Sequence, residues 1–272
     1  MSGAPAIRAF TASHRGGSGS PLVCLHGMTD TWRTWELVLP ALERHHDVLA
    51  PTLAGHAGGP PLEGAVDDGL LADAVERAMD EAGFERAHLV GNSLGGHLAL
   101  KLASRDRAES VVALAPAGGW ADGNDASAAP LELIAMLYEQ AKLGAPHVGA
   151  IVATRESRRR ATEYATTNFE HIPAELIAHQ IVAVAACHAA LPLIESARGE
   201  GWSLDAERID CPIRVVWGAA DRLLAWPSAA ARYRDEWLAN ADWVELEGVG
   251  HCPQLDVPIE TAELILGWTA KT

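Results

Sequence analysis

Residues 88–100 read HLVGNSLGGHLAL and contain the pattern Gly-x-Ser-x-Gly, centred on Ser93. An apolar, strand-like run precedes the pattern, and a stretch with the apolar spacing of a helix follows it. This order predicts a sharp turn between strand and helix, which exposes the Ser93 hydroxyl at the end of a sheet. Gly91 and Gly95 carry no side chain, so strand and helix can pass closely there. Ser93 is therefore a candidate nucleophile.

The same alternation of strand and helix continues on both sides of this stretch. Val- and Leu-rich strands that alternate with helices are typical of βαβ units and a mainly parallel sheet. The predicted strands are 21–25, 48–50, 87–90, 111–115, 213–217 and 243–246, and the predicted helices are 35–43, 66–81, 94–105, 228–238 and 259–269. Residues 7–12 resemble an edge strand, and residues 14–20 resemble a turn. The predicted fold class is α/β.

Residues 117–205 break this alternation, because they show helical periodicity only. The candidate helices here are 131–143, 148–169 and 174–197. We therefore predict an α/β core formed by residues 1–116 and 206–272, with residues 117–205 inserted as a helical lid. A lid in this position would lie over the carboxyl ends of the strands, where α/β sheets bind their ligands.

Composition and charge narrow the class of protein. The chain has 272 residues, 49% of them hydrophobic, and a mean hydropathy of +0.03, which is typical of a globular domain. Its net charge of −15 repels phosphate backbones, so we expect no nucleic-acid partner. No apolar run is long enough to span a membrane, and residues 1–17 lack the apolar core of a signal peptide. We expect a cytoplasmic protein, either a monomer or a homodimer.

The four cysteines are scattered and lack metal-finger spacing, so we interpret them as reduced thiols and predict no metal site.

A second apolar strand, in LVCLHGM at residues 22–28, ends in a tight turn. Such a turn can point a backbone N–H at a substrate carbonyl. We predict that the N–H groups of Met28 and Leu94 form an oxyanion hole. For His26, a structural role is favoured over proton transfer.

Two further strand ends supply the partners that a serine nucleophile needs. Asp221 follows the strand in VVWGAADR, and His251 lies in the loop LEGVGHCP before the last helix. Asp221 can accept a hydrogen bond from His251 and so orient it as a base, although an aspartate at a strand end can also simply cap a turn. Asp205 and Asp210 are rival acids, but neither follows a strand end. The order Ser, Asp, His is the one expected of this architecture.

With these motifs the sequence resembles the α/β-hydrolase superfamily, specifically its lid-bearing serine hydrolases. The segments that carry the resemblance include residues 26–42, 89–103, 111–118, 215–223 and 249–258. The resemblance implies a mainly parallel eight-stranded sheet, Ser93 as nucleophile, His251 as base, Asp221 as orienting acid, and no metal or organic cofactor. Thr52 departs from the family, which often has an aspartate there, and this change could alter the rim of the pocket.

We predict a carboxylesterase that cleaves small-to-medium neutral esters through an acyl-enzyme on Ser93. Apolar residues around the motifs and in the lid are candidates for the substrate pocket. They are Trp32, Trp120, Met136, Leu137, Leu223 and Cys252, together with Met28 and Leu131. A basic run at Arg155 and residues 158–160 is either a solvated helix face or a clamp for an acidic substrate.

Two alternatives stay open at this point. GNSLGG also resembles the nucleophile turn of hydrolases that cleave carbon–carbon bonds in acidic ring-fission products of aromatic degradation. Other members of the superfamily are small-ligand receptors with little turnover. Dehalogenation and epoxide opening by a nucleophilic aspartate are disfavoured, because a serine occupies position 93.

Overall fold

A seven-stranded sheet forms the centre of the computed structural model, which describes residues 7–62, 64, 66–120, 128–199 and 202–272. The strands are β1 (Ser13–Gly17), β2 (Ser20–Leu25), β3 (His46–Pro51), β4 (Ala87–Asn92), β5 (Ala108–Leu114), β6 (Ile213–Gly218) and β7 (Asp242–Leu246). Their order across the sheet is β1-β3-β2-β4-β5-β6-β7. Every neighbouring pair is parallel except β1 and β3. The predicted α/β class is confirmed.

The edge of the sheet corrects two predictions. The described residues form seven strands rather than eight, and the edge strand is Ser13–Gly17, which overlaps the segment 14–20 predicted to be a turn. The stretch 7–12 forms no strand. Tertiary pairing overrides the turn signal of the glycines, because β1 runs antiparallel along β3 with Gly17 opposite Asp47. Gly17 has a φ of 81°, and a Cβ there would lie 2.2 Å from the His46 carbonyl oxygen, so only glycine allows this pairing.

In the described part of the chain, ten α-helices flank the sheet or lie between its strands. They are α1 (Leu39–Leu42), α2 (Asp68–Glu81), α3 (Leu94–Ala103), α4 (Ala128–Gly144), α5 (Val148–Ile151), α6 (Arg155–Thr162), α7 (Ala174–Ala185), α8 (Ala190–Gly199), α9 (Pro253–Asp256) and α10 (Pro258–Thr269). The predicted helix 35–43 is replaced by the 3-10 turn Trp32–Trp35 followed by α1, and the predicted helix 228–238 by a 3-10 turn and a π-helical turn.

Successive residues of each central strand face opposite sides of the sheet, as β geometry requires. On β4, Leu89 belongs to the apolar cluster that contains α2 and α3, whereas Val90 belongs to the cluster that contains α1 and α10. On β5, Val111 and Val112 divide in the same way. The sheet is thus buried on both faces, which explains its nearly continuous apolar strands.

Between β5 and β6 the chain is helical, and we call residues 128–199 the helical segment. Two of its three predicted helices are each divided in two. Thr154 caps α6 by accepting a hydrogen bond from the Ser157 N–H, which separates α6 from α5. The break between α7 and α8 lets the Ala189 N–H donate to the Gly55 carbonyl, which lies outside the helical segment (3.1 Å). We call the described residues outside this segment the sheet domain. The division into core 1–116 and 206–272 and lid 117–205 stays a prediction, and part of that lid lies outside the described residues.

No single helix in the described ranges is long and apolar enough to cross a membrane. Only α7 and α8 together, as Ala174–Ala185 and Ala190–Arg198, have the length and composition of a span, and they are bent by 65° at their break.

The order of the strands fixes where a site can form. The chain passes from β2 to β3 on one side, and then to β4 on the other side of β2. Ligands of open α/β sheets bind at such a reversal, in the crevice outside the carboxyl ends of the strands. There β2 ends before His26 and β4 ends before Ser93, so the two predicted catalytic loops meet at this point.

Three buried histidines, His26, His56 and His179, support the loops around this crevice. Their side chains are in the neutral form. The Leu53 N–H donates to Nε2 of His26, so Nδ1 carries the proton and donates to the Gly27 carbonyl. Burial lowers the pKa of His26 well below its ordinary value, and it lowers the pKa values of His56 and His179 to about 4. The structural role predicted for His26 agrees with these contacts.

The close approach of β4 and α3 gives a first prediction. A Cβ at Gly91 would lie 2.0 Å from the Gly95 carbonyl oxygen, and both groups are backbone that cannot rotate away. We expect Gly91→Ala to lower the free energy of unfolding by about 3 kcal/mol. The matched control is Gly267→Ala in α10, where the new Cβ would meet no described atom within 4 Å apart from its chain neighbours and the backbone of its own helix, and where alanine favours the helix by about 1 kcal/mol. Urea unfolding compares the two variants, and equal stability would contradict the close approach.

The neutral histidines give a second prediction. In the unfolded chain these side chains bind protons near pH ~6.5. In the folded chain the pKa values of His56 and His179 are about 4, and the pKa of His26 is lowered as well. The unfolded state therefore holds more protons between these values, so stability rises with pH across this window and is lost as pH falls. We expect His56→Gln to flatten the rise in thermal midpoint between about pH 5 and 7. The control is His188→Gln, at an exposed position. An unchanged slope in His56→Gln would sink this account.

Candidate functional site

Ser93 sits on a strained turn between β4 and α3. Its backbone has φ 56° and ψ −118°, a region that L-residues rarely occupy. Three backbone hydrogen bonds hold it: the Ser93 N–H donates to the Leu114 carbonyl (2.9 Å), and the Ser93 carbonyl accepts from the N–H groups of His97 (3.1 Å) and Ala117 (3.0 Å). The turn points the side chain out of the sheet toward the cavity that it lines. The structure thus places Ser93 as the sequence predicts.

The loop after β2 packs directly against this turn. A Cβ built on Gly27 would lie 3.3 Å from the Cβ of Ser93, so the backbone of this loop passes beside the serine. Met28 follows Gly27 and lines the same cavity as Ser93. Leu94 is the first residue of α3, so its N–H has no partner within the helix. The structure therefore brings both predicted oxyanion-hole residues next to Ser93.

Asp221 and His251 form a buried hydrogen-bonded pair. His251 Nδ1 lies 2.7 Å from Asp221 Oδ2, while Asp221 Oδ1 accepts from the N–H groups of Leu223 and Leu224 at 2.8 Å each. Asp221 is 5% and His251 4% exposed. A carboxylate that accepts three hydrogen bonds keeps the proton of the ring on Nδ1, which leaves Nε2 as the proton acceptor.

The rival acids do not compete for this position. Asp205 and Asp210 both lie exposed, on the loop before β6. Asp221 instead follows the end of β6, and the backbone around it is fixed because the Ala220 N–H donates to the Val249 carbonyl in the loop that carries His251 (2.9 Å). The geometry thus selects Asp221 from the three candidates.

Asn92 anchors the loop that carries His251, which we call the histidine loop. The sequence did not reveal this role. Its Nδ2 donates to the carbonyl of His251 (3.0 Å) and to that of Leu114 (3.2 Å), and its Oδ1 accepts from Gln254 Nε2 (3.1 Å) and the Cys252 thiol (3.4 Å). All these atoms are buried. Because Asn92 precedes Ser93, one dipeptide contains the candidate nucleophile and also positions the histidine. A polar residue at the buried end of an apolar strand is the signal that could have identified it.

Asp256 is a second unpredicted anchor. The carboxylate is fully buried, and it accepts from the N–H groups of Gly250 (2.6 Å), Asn168 (2.6 Å) and Thr167 (3.0 Å). Gly250 belongs to the histidine loop, and the other two residues belong to the helical segment. Asp256 therefore fastens the helical segment to the loop of His251. The sequence holds a weak signal for it, namely an aspartate inside the short apolar run after His251.

A cavity of about 500 Å³ opens above Ser93 and His251. Of the predicted pocket residues, Leu137, Leu223, Cys252 and Met28 line it, while Trp120 and Leu131 line a smaller cavity beside it. The prediction is wrong for Trp32 and Met136. Trp32 stacks on His14 and donates from Nε1 to Thr11, and Met136 is 43% exposed on the outer side of α4. Helical spacing alone could not tell the inner face of α4 from the outer one.

The cavity wall is mainly apolar, with a small polar patch. Asp30 lines it and accepts hydrogen bonds from the Thr31 N–H (2.8 Å) and from Gln180 Nε2 (3.1 Å) on α7. Burial raises the pKa of Asp30, and these hydrogen bonds partly offset the effect. Among the described residues, no group of three or more His, Cys, Asp and Glu side chains is arranged to hold a metal ion.

The arginine run of the helical segment is occupied by its own ion pairs. Arg155 pairs with Glu170, and Arg159 and Arg160 both pair with Glu156. Arg158 donates to the Val152 carbonyl at 2.9 Å. Arg160 is the one arginine of the run among the lining residues described, and its side chain is 72% exposed. These contacts favour the solvated helix face over the carboxylate clamp.

Comparisons with known proteins bear on the family and the fold. Epoxide hydrolase EphH of Mycobacterium tuberculosis is 34% identical over 199 residues, which cover 72% of this chain and 92% of that protein. The 2-hydroxymuconate semialdehyde hydrolase of Pseudomonas sp. strain CF600 is 34% identical over 114 residues, 40% of either chain. Among solved structures, the enol-lactonase from Burkholderia xenovorans LB400 superposes with a TM-score of 0.71 at 19% identity, covering 95% of each chain, which shows a shared fold.

The family itself is shown by a sequence model that matches most of the chain. Residues 22–264 match the model of the alpha/beta hydrolase family, a range that begins in β2 and ends in α10. It includes Ser93, Asp221 and His251. The chain therefore belongs to the alpha/beta hydrolase family.

Proposed function

We propose that this hydrolase cleaves small-to-medium neutral carboxylic esters through an acyl-enzyme on Ser93. The observation that carries the proposal is the identity of the group on the strained turn. A neutral hydroxyl stands there, and His251, which can take its proton and is hydrogen-bonded to the buried Asp221, lines the same cavity. Such a hydroxyl attacks a carbonyl carbon when a base activates it and donors stabilise the resulting oxyanion.

Each group then has a role in the proposed reaction. His251 Nε2 removes the Ser93 proton as the hydroxyl attacks the ester carbonyl, and Asp221 stabilises the imidazolium that forms. The N–H groups of Met28 and Leu94 bind the oxyanion, and the loss of one such donor typically costs about 3 kcal/mol of transition-state stabilisation. His251 protonates the leaving alcohol, then activates the water that releases the acid and restores Ser93.

The same chemistry argues against epoxide opening, the activity in the name of the relative EphH. A carboxylate that opens an epoxide forms an ester, which water can hydrolyse at its carbonyl carbon. Ser93 would instead form an alkyl ether, which has no carbonyl for water to attack, so the enzyme would stay alkylated after one turnover. The acyl-enzyme of an ester avoids this dead end, which is why serine favours acyl substrates here.

Charge in the cavity favours neutral esters over the acidic ring-fission products of carbon–carbon hydrolases. A carboxylate substrate needs a cationic partner once it leaves water. Of the lining residues described, Arg160 is the one with a lysine or arginine side chain, and it is largely exposed and paired with Glu156. Asp30 adds a carboxyl group to the wall, and that group opposes an anion whenever it is ionised. Assaying a vinylogous diketone acid beside the esters tests this preference directly.

The test of the nucleophile is Ser93→Ala assayed on p-nitrophenyl esters. We expect kcat/KM to fall by at least about 10⁴-fold, because the acyl-enzyme cannot form. We expect the thermal midpoint of Ser93→Ala to stay the same or rise, because the substitution removes one hydroxyl and leaves the backbone conformation unchanged. Ser228→Ala, at an exposed serine, is the control. Mass spectrometry should find an acyl adduct on Ser93 in the wild type. An active Ser93→Ala enzyme would refute the proposal, as would turnover confined to the diketone acid.

The orienting acid has its own test in Asp221→Asn. The amide keeps the shape of the side chain but favours the wrong tautomer of His251, so we expect kcat to fall by about 10⁴-fold with little change in KM. Asp205→Asn is the matched control, because Asp205 is an exposed rival from the same part of the chain. Loss of activity in Asp205→Asn with retention in Asp221→Asn would reverse the assignment.

A further inference from the structure

Two cavities of very different size meet at Ser93. The larger one, of about 500 Å³, contains the lining residues His251 and Leu223. The smaller one has a volume of about 10 Å³, which corresponds to one water-sized group, and Leu94 and Trp120 are among its lining residues. Ser93 lines both. An ester carbonyl attacked at Ser93 would therefore have one substituent on each side.

The position of His251 decides which substituent occupies which cavity. The leaving alcohol receives its proton from His251, so it must lie on the side of that ring. His251 lines the larger cavity and is absent from the wall of the smaller one. The water that attacks the acyl-enzyme is activated by the same ring and reaches it through the space that the alcohol vacates. The acyl chain is thus left with the smaller cavity.

The walls of the smaller cavity are braced against expansion. Trp202 forms part of the wall and stacks on His97, with ring centroids 5.1 Å apart. His97 is fully buried and held at both nitrogens: Nε2 donates to Asp68 Oδ2 (2.7 Å), and Nδ1 lies 3.0 Å from the Tyr233 hydroxyl. That hydroxyl donates to the carbonyl of Ala117, another wall residue (2.6 Å). One hydrogen-bonded network therefore supports two walls.

We propose that the enzyme is selective for acetyl-sized acyl groups carried by larger, mainly apolar alcohols. The proposal rests on the ester hydrolysis proposed above, and it specifies the substrate class of that same site. Each acyl methylene beyond acetyl has to enter a cavity that holds about one small group and cannot widen. The alcohol, in contrast, has the 500 Å³ cavity, whose wall offers the Asp30 carboxyl to a hydroxyl or amide N–H of that alcohol.

The wild-type enzyme tests this with two ester series. In p-nitrophenyl esters from acetate to octanoate, we expect kcat/KM to fall about tenfold for each of the first added methylenes. In acetates from ethanol to decanol, we expect it to rise with alcohol length until the larger cavity is filled. A constant or rising acyl series overturns the size proposal. Activity that does not exceed that of Ser93→Ala on any ester refutes the proposed function instead, so the two failures are distinguishable.

Two variants test the cavity itself. Trp120→Ala removes a half-buried wall of the smaller cavity, and we expect it to raise the butanoate-to-acetate ratio of kcat/KM at least about tenfold. Leu137→Ala is the matched control, because Leu137 lines only the larger cavity of the two. It should leave the acyl ratio unchanged and alter the alcohol series. An equal shift of the acyl ratio in both variants, or none in a folded Trp120→Ala, contradicts the proposal. Trp120→Leu, a smaller change, replaces Trp120→Ala if that variant does not fold.

Discussion

The close contact of two glycine backbones underlies the rest of this structure. Gly91 on β4 lies so close to α3 that a Cβ on it would overlap the Gly95 carbonyl, and a Cβ on Gly95 would overlap the backbone of Leu25 and His26 at the end of β2. This contact lets the chain reverse within one residue, and that residue is Ser93, in a left-handed conformation that costs on the order of 1–3 kcal/mol. Two backbone hydrogen bonds offset this strain. The Ser93 N–H donates to Leu114 on β5, and the Ser93 carbonyl accepts from the N–H of Ala117, just after β5. Ser93 lines the cavity although it is only 7% exposed, and the glycines two residues before and after it have no side chains to cover its hydroxyl.

A second constraint comes from the way the helical segment meets the sheet domain. Buried polar contacts join it to both loops of the site. Arg33, whose side chain is 2% exposed, forms a bidentate salt bridge with Glu175 on α7. Asp256 accepts hydrogen bonds from the turn at residues 167–168. Charge-assisted hydrogen bonds of this kind are directional, so they set an orientation that apolar packing alone leaves loose. The shape of the cavity and the position of His251 are therefore fixed by the same contacts.

Much of the sheet domain follows from local pattern, whereas the rest depends on contacts distant in sequence. Ser93, Asp221 and His251 stand at strand ends bounded by glycines, and that local context identified them. The edge strand was misplaced because Gly16 and Gly17 signal a turn, and only pairing with β3 makes them a strand. Asn92 and Asp256 were missed because their partners lie up to 162 residues away in the sequence. Trp32 and Met136 show the same limit, since an apolar residue does not reveal which surface it faces.

The fastening of the helical segment also bears on how such enzymes can acquire new substrates. The groups that hold the segment, Arg33 and Asp256, belong to the sheet domain, while Glu175 and the 167–168 turn belong to the segment. A recombination that exchanged the segment between relatives would carry over only half of each contact. The segment is therefore not a freely interchangeable module, and change of specificity is confined to residues such as those on the inner face of α4, which shape the cavity without bearing on the fastening.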